Sequence, residues 1–119
     1  MSYRVFCIIP GDGPAFLVDI NETLTVDHLK TYIKAVKGHT LATIDAAVLT
    51  LYQINVDRSN KEKYIEEVKC LAKNLKNLKS LNVVSLLADV FMPPGPPPQR
   101  VHILVQPPKG VSQNINVYL

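Results

Sequence analysis

The most reactive side chains in the sequence belong to two cysteines and three histidines, and their positions argue against catalysis. Cys7 falls in an apolar run and Cys70 in a predicted helix, without the glycine-rich or strand-end surroundings that activate a thiolate. We therefore predict buried free thiols rather than a nucleophile or a disulfide. No spacing makes two histidines neighbours on one element, so a metal site is not expected at His28, His39 or His102.

The carboxylates and the glycine-rich loop also indicate structural roles. The aspartates are scattered over predicted turns and helix caps, where hydrogen bonds to nearby backbone account for them. The Gly11-Asp12-Gly13 segment joins two predicted strands and lacks a following helix N-terminus to hold a phosphate. We predict that the chain is not an enzyme and has no cofactor, no metal and no small-molecule substrate.

The composition is that of one ordinary globular domain. The 119 residues carry a net charge of +3 and no tryptophan, which does not favour nucleic-acid binding. One stripe of a predicted helix carries Lys69, Lys73 and Lys76 and is interpreted as a solvated face rather than a contact with nucleic acid or anionic lipid. A small nucleic-acid binder that uses these lysines and Lys79 is the weaker hypothesis. No apolar run has membrane-spanning length, and Pro10 interrupts the apolar start, so no recognisable signal peptide is expected.

The elements that must position these residues are organised around residues 101–105, Val-His-Ile-Leu-Val. This run is rich in β-branched residues, and the prolines on both sides leave too little room for a helix, so it predicts a central strand. The opening run, residues 3–9, is of the same type. The helical sequence between them allows the two strands to lie parallel. A hairpin is expected to return the chain over residues 15–20.

Two helices and a third strand are expected between the first and last strands. Thr25 can cap an amphipathic helix whose apolar stripe reaches Val36, and Gly38 can end it with a positive φ. Alternation predicts a strand over residues 48–56. The spacing of Ser59 and Glu62 is that of a capping box.

The apolar stripe that follows this capping box predicts a second helix, which reaches about Lys79. Residues 83–91 are expected to form a short helix or turn before the prolines. Residues 111–119 alternate in polarity. Three interpretations stay open for them: an edge strand, a strand donated to a second copy, or the stub of a longer segment.

The order hairpin, helix, strand, helical segment and last strand is that of the β-grasp, or ubiquitin-like, fold. This is an α+β fold with a mixed sheet, a central C-terminal strand and a packed amphipathic helix. More specifically, the sequence resembles the N-terminal domain of Crinkler effectors, modular proteins of oomycetes and several fungal lineages. The segments that carry the likeness are residues 6–9, 26–30 with 33–34, 49–52, 86–91 and 102–107.

The resemblance implies a ubiquitin-like Crinkler N-terminal domain over residues 1–108 and a tail or extra edge strand over residues 109–119. Oomycete members carry a Leu-Phe-Leu-Ala-Lys motif linked to entry into host cells, whereas residues 51–55 read Leu-Tyr-Gln-Ile-Asn and keep only the leading pair. This looks like the fungal version of the domain and puts a translocation role of that motif in doubt. The family-implied motif residues are Leu51, Tyr52, His102, Ile103, Leu104, Val105 and Pro107.

The function implied by the resemblance is that of a non-catalytic N-terminal domain of a secreted Crinkler-type effector. Such a domain serves secretion or translocation into host cells, including the host nucleus, and makes protein contacts that extend to self-association in a homodimer. The alternative is an intracellular ubiquitin-like module for protein interaction. Ubiquitin-like conjugation is not expected, because the sequence ends in Asn-Val-Tyr-Leu and has no diglycine tail.

Overall fold

A computed structural model describes residues 2–108 and confirms the predicted α+β class, with a mixed five-stranded sheet in the order β2-β1-β5-β3-β4. The central strand is β5, which runs parallel to β1 and antiparallel to β3. The predicted division at residue 108 stays a prediction, and the tail at 109–119 lies outside the described residues. The strands are β1 Ser2–Ile8, β2 Phe16–Asn21, β3 Thr50–Asp57, β4 Lys79–Ser80 and β5 Arg100–Gln106; the helices are α1 Val26–Val36, α2 Lys61–Ala72 and α3 Leu87–Val90.

Strand β5 is the most deeply buried element of the sheet. Its residues from Val101 to Val105 are at most 3% exposed, because β1 and β3 flank it and both faces of the sheet are covered. Ile103 and Val105 belong to an apolar cluster shared with α1, and Leu104 belongs to a second cluster shared with α2. The predicted central strand is therefore confirmed.

Helix α1 covers the first cluster. The Thr25 side chain caps its N-terminus, as predicted, and Leu29 and Ile33 are fully buried. The predicted C-terminal part is wrong in two details. Val36 is half exposed, and the helix is capped by Lys37 with φ −107°, so Gly38 does not adopt a positive φ.

Helix α2 covers the second cluster and differs from the prediction at both ends. Its N-cap is Asn60, whose side chain accepts from the Lys63 amide at 3.1 Å, whereas the Ser59 amide donates to the Asp57 carboxylate. The helix ends at Ala72, well before Lys79. A 3-10 turn at Leu75–Asn77 follows, and Leu75 in the turn and Leu78 after it still pack on the second cluster.

The two thiols lie in different surroundings. Cys7 is a buried free thiol, as predicted, whereas Cys70 lies on the exposed side of α2, so the prediction of a buried thiol is wrong there.

The Gly11-Asp12-Gly13 loop is joined to the end of α1. The Asp12 carboxylate lies 2.9 Å from the Lys37 ammonium and accepts from the Thr40 hydroxyl. A carboxylate here repels phosphate, in line with the structural interpretation of this loop.

Among the glycines of the described residues, Gly95 is the one whose replacement is expected to destabilise the domain most. Its φ is +108°, and a Cβ atom there would lie 3.1 Å from the Tyr3 ring. We expect Gly95→Ala to lower the free energy of unfolding by about 2 kcal/mol, measured by urea denaturation. Gly11 has φ +86° but open space around it, so Gly11→Ala is the control for backbone strain alone, expected to cost about 1 kcal/mol. Equal losses in both variants would contradict the proposed contact with Tyr3.

Candidate functional site: a proline-walled cleft beside His102

Most of the family-implied residues form part of the core. Across the ladder between β3 and β5, Leu51 pairs with Val105 and Tyr52 pairs with Leu104. Leu51 is fully buried, and Tyr52 packs, partly exposed, against the cluster on the other face. Two further members of the set, Ile103 and Pro107, are also buried. The structure thus brings these residues together as packing partners.

His102 is the polar residue in this set, and both of its ring nitrogens are bonded. The Phe6 amide donates to Nδ1 at 2.9 Å, and Nε2 lies 2.6 Å from the carbonyl oxygen of Pro97. A peptide N–H can only donate and a carbonyl can only accept, so the ring is neutral with its proton on Nε2. His102 thereby joins β1 to the proline segment that leads into β5.

The strands on both sides of His102 are adapted to its ring. Backbone pairing between β1 and β5 is found at Cys7 and Ile8, and one residue earlier the Phe6 amide bonds the imidazole instead of a carbonyl. On β3, the register with β5 shifts between Gln53 and Val56, which sets two residues of β3 opposite His102. Such a bulge is common where a sheet aims a side chain at a site.

A cleft of about 380 Å³ opens beside this histidine. We call it the proline cleft. Its floor and walls come from β1, the residue that follows β3, the proline segment and β5. Its lining includes Tyr3, Phe6, Arg58, Pro97, Gln99 and His102.

Arg58 is held in place on one side of the cleft by three contacts. Its amide donates to the Gln99 carbonyl at 2.8 Å, and its Nε donates to the Arg100 carbonyl at 3.3 Å. The guanidinium carbon lies 3.5 Å from the centre of the Phe6 ring, which is the geometry of a cation–π contact. Gln99 has a φ of 63°, a backbone conformation that residues other than glycine seldom adopt. Such conformations are often found at functional sites.

Aromatic packing supports the other side. The Tyr3 hydroxyl donates to the Phe91 carbonyl at 3.2 Å, and the Phe91 ring meets both Tyr3 and His102 edge-on at about 6 Å. Burial raises the pKa of Tyr3, and the nearby charge of Glu22 raises it further. Tyr3 therefore stays neutral at physiological pH.

Burial raises the pKa of the Cys7 thiol far above neutrality, so this group is not a thiolate nucleophile. Within residues 2–108, no three His, Cys, Asp or Glu side chains are grouped to hold a metal ion. The described helices also include none that is long and apolar enough to cross a bilayer.

Acid is expected to destabilise the domain through His102. Burial, and secondarily the charge of Arg58, lower its pKa, although the bond to Pro97 acts in the opposite direction. The unfolded chain therefore takes up a proton near the ordinary histidine pKa of about 6.5, before the folded chain does. Stability is retained above that pH and is lost as the pH falls from about 6.5 towards the lower folded pKa.

The measurement is the urea midpoint at a series of pH values for the wild type and His102→Gln. In the difference between the two curves, the contributions of the other titrating groups cancel, so the contribution of His102 remains. Asp57, whose pKa is lowered mainly by the Ser59 amide, titrates in a more acidic range. Parallel curves for the two proteins between pH 7.5 and 5 would contradict this assignment.

The sequence did not predict a functional role for Phe6 or Arg58. Their contact joins residues distant in sequence, so no local pattern reports it. The sequence did contain one signal for the cleft, namely the scarcity of arginine. Only three of its thirteen lysines and arginines are arginines. Arg4 and Arg58 line the cleft, and Arg100 supplies the carbonyl that anchors Arg58. Arginine differs from lysine in its planar, multiply donating head group.

The mixed sheet with β5 in its centre and a helix packed on each face defines an α+β domain of the β-grasp class. Residues 3–106 match the family model described as the Crinkler effector protein N-terminal domain, so the chain belongs to that family. It is 31% identical to "Crinkler effector protein 1" of Rhizophagus irregularis, over 94% of this chain and 23% of that relative. The chain thus spans less than a quarter of the relative's length. No solved structure matches.

Proposed function

We propose that this domain is the non-catalytic N-terminal domain of a secreted effector and that it serves delivery into a host cell through protein contacts. The family match supports the effector assignment. The observation that carries the non-catalytic role is the state of the two best candidates for chemistry. Both nitrogens of His102 are bonded to backbone, and the Cys7 thiol is buried and protonated.

Delivery is tested by fusing the full chain to a reporter enzyme that is active only inside the host cell. The fusion is expressed in the producing organism, and reporter activity is measured in host cells. We expect activity well above that of the reporter alone. Equal activity with and without the chain would refute the delivery role. Reporter activity confined to the producing cell would favour the alternative, an intracellular interaction module.

Self-association is the second part of the proposal, and the short β4 supports it. Within the described residues, β4 pairs with Tyr52 and Gln53, and the Leu81 amide donates to the Leu51 carbonyl, so the outer edge of β3 has no strand beside it over residues 54–57. An open edge can pair with a strand from another chain. The test is light scattering across a concentration series, with and without residues 110–119. A dimer that becomes a monomer on truncation is expected if the tail supplies the contact. A monomer in both forms would refute self-association.

A further inference from the structure

We infer that the proline cleft binds a partner peptide that presents a carboxylate beside an apolar side chain, with Arg58 as the residue that holds the carboxylate. This inference rests on the proposed function, namely that the domain acts through protein contacts. Three features of the cleft lead to it: the state of Arg58, the charge of the lining and the nature of the walls.

The guanidinium of Arg58 is fixed in position, and its two terminal nitrogens can donate to a ligand. Stacking on Phe6 and the bond from Nε to the Arg100 carbonyl hold the guanidinium in place. Among residues 2–108, no acceptor contacts its two terminal nitrogens. A planar guanidinium with free terminal donors matches the two oxygens of a carboxylate. Because the side chain is already ordered, little conformational entropy is lost when the ligand binds.

The charge of the lining selects an anion. The residues that line the cleft within the described range include Arg4 and Arg58 and no aspartate or glutamate, His102 is neutral, and the charge of Glu22 lies near Tyr3 behind the lining. Arg4 lies 3.7 Å from the Asp19 carboxylate, in a pair exposed to solvent. Arg58 is therefore the cation in the lining that has no acidic partner among residues 2–108.

The walls favour a peptide over a nucleotide. Four of the lining residues are prolines, which offer apolar rings and carbonyls but no N–H donors: Pro94, Pro96, Pro97 and Pro98. A polyphosphate site needs several backbone amides aimed at the anion. One guanidinium beside apolar and aromatic walls instead suits a single carboxylate with an apolar neighbour. The volume of the cleft lies within the range of small ligand pockets.

The test is selection of a phage-displayed library of random decapeptides on the purified full-length chain. We expect enriched peptides to share an Asp or Glu next to an apolar residue. Synthetic copies are then titrated against the chain by fluorescence anisotropy. Changing the acid to its amide is expected to weaken binding at least about 10-fold, because a charge-assisted pair is lost.

Three variants separate the contribution of the guanidinium from that of charge alone. Arg58→Gln and Arg58→Lys are both expected to weaken binding at least about 10-fold, since lysine keeps the charge but not the planar donor pair. Lys69→Gln removes the same charge from an exposed site on α2 and is expected to leave binding unchanged. Thermal unfolding of each variant shows whether it is folded.

Four results would overturn the inference. They are a selection with no enriched peptide, enriched peptides without an acid, full binding by Arg58→Lys, and displacement of the peptide by ADP or phosphate at lower concentration than by its own unlabelled copy. The reporter assay separates this inference from the proposed function. Delivery by wild type and Arg58→Gln alike, with an empty selection, refutes the cleft alone. Peptide binding without delivery refutes the delivery role alone.

Discussion

Replacement of His102 by alanine is expected to lower the free energy of unfolding by about 3 kcal/mol. The change leaves the Phe6 amide and the Pro97 carbonyl without their partner and opens a cavity under the Phe91 ring. A loss of this size is a large share of the roughly 5–15 kcal/mol that typically stabilises a domain. Chemical denaturation followed by circular dichroism measures it.

Two conservative variants divide this loss between the two hydrogen bonds. In His102→Asn the amide oxygen can take the place of Nδ1 and accept from Phe6, whereas in His102→Gln the amide nitrogen can take the place of Nε2 and donate to Pro97. Each variant is expected to recover about 1 kcal/mol of the alanine loss. If the alanine variant is as stable as wild type, the two bonds do not support the fold as described.

Replacement of Leu51 by alanine is expected to cost about 3 kcal/mol as well. Leu51 is fully buried, belongs to the cluster under α1 and pairs with Val105 on the central strand. Removing a core leucine side chain loses its transfer free energy and leaves a cavity. Leu51 stands at the first position of the stretch that corresponds to the oomycete entry motif, and we expect any loss of delivery in Leu51→Ala to follow from unfolding.

The matched control is Val84→Ala, because Val84 is 74% exposed and its replacement is expected to change stability by less than about 0.5 kcal/mol. Both proteins are compared by urea denaturation and in the delivery assay at a temperature where each is folded. If Leu51→Ala stays fully folded and still fails in delivery, the motif has a direct role and the explanation by packing is wrong.

The sequence predicted the frame of the fold because its signals are local. Prolines on both sides of an apolar run led to the central strand, and a threonine cap with helical spacing led to α1. The end of α2 was not predictable from periodicity. Leu75 and Leu78 pack on the same cluster as the helix, but they do so from a 3-10 turn and the residue after it. Apolar spacing alone does not separate these two backbones.

The cleft could not be predicted, because the contacts of Phe6 and Arg58 that form it join residues distant in sequence. A histidine within an apolar strand, such as His102, is interpreted from sequence as a packed or edge-facing residue. Its burial agrees with that, but its tautomer depends on an amide of β1 far away in sequence. The bulge of β3 opposite His102 and the positive φ of Gln99 are likewise properties of the assembled sheet. Such features follow from tertiary contacts that override local preference.

The central position of β5 has a consequence for a chain that emerges from the ribosome. Until residues 100–106 are available, the sheet consists of two separate strand pairs, β1 with β2 and β3 with β4, because β5 is the strand that joins them. The contact between Cys7 and Ile103 closes a loop of almost the whole domain, and such contacts form slowly. The nascent domain therefore cannot form its stable core before its last strand has been synthesised.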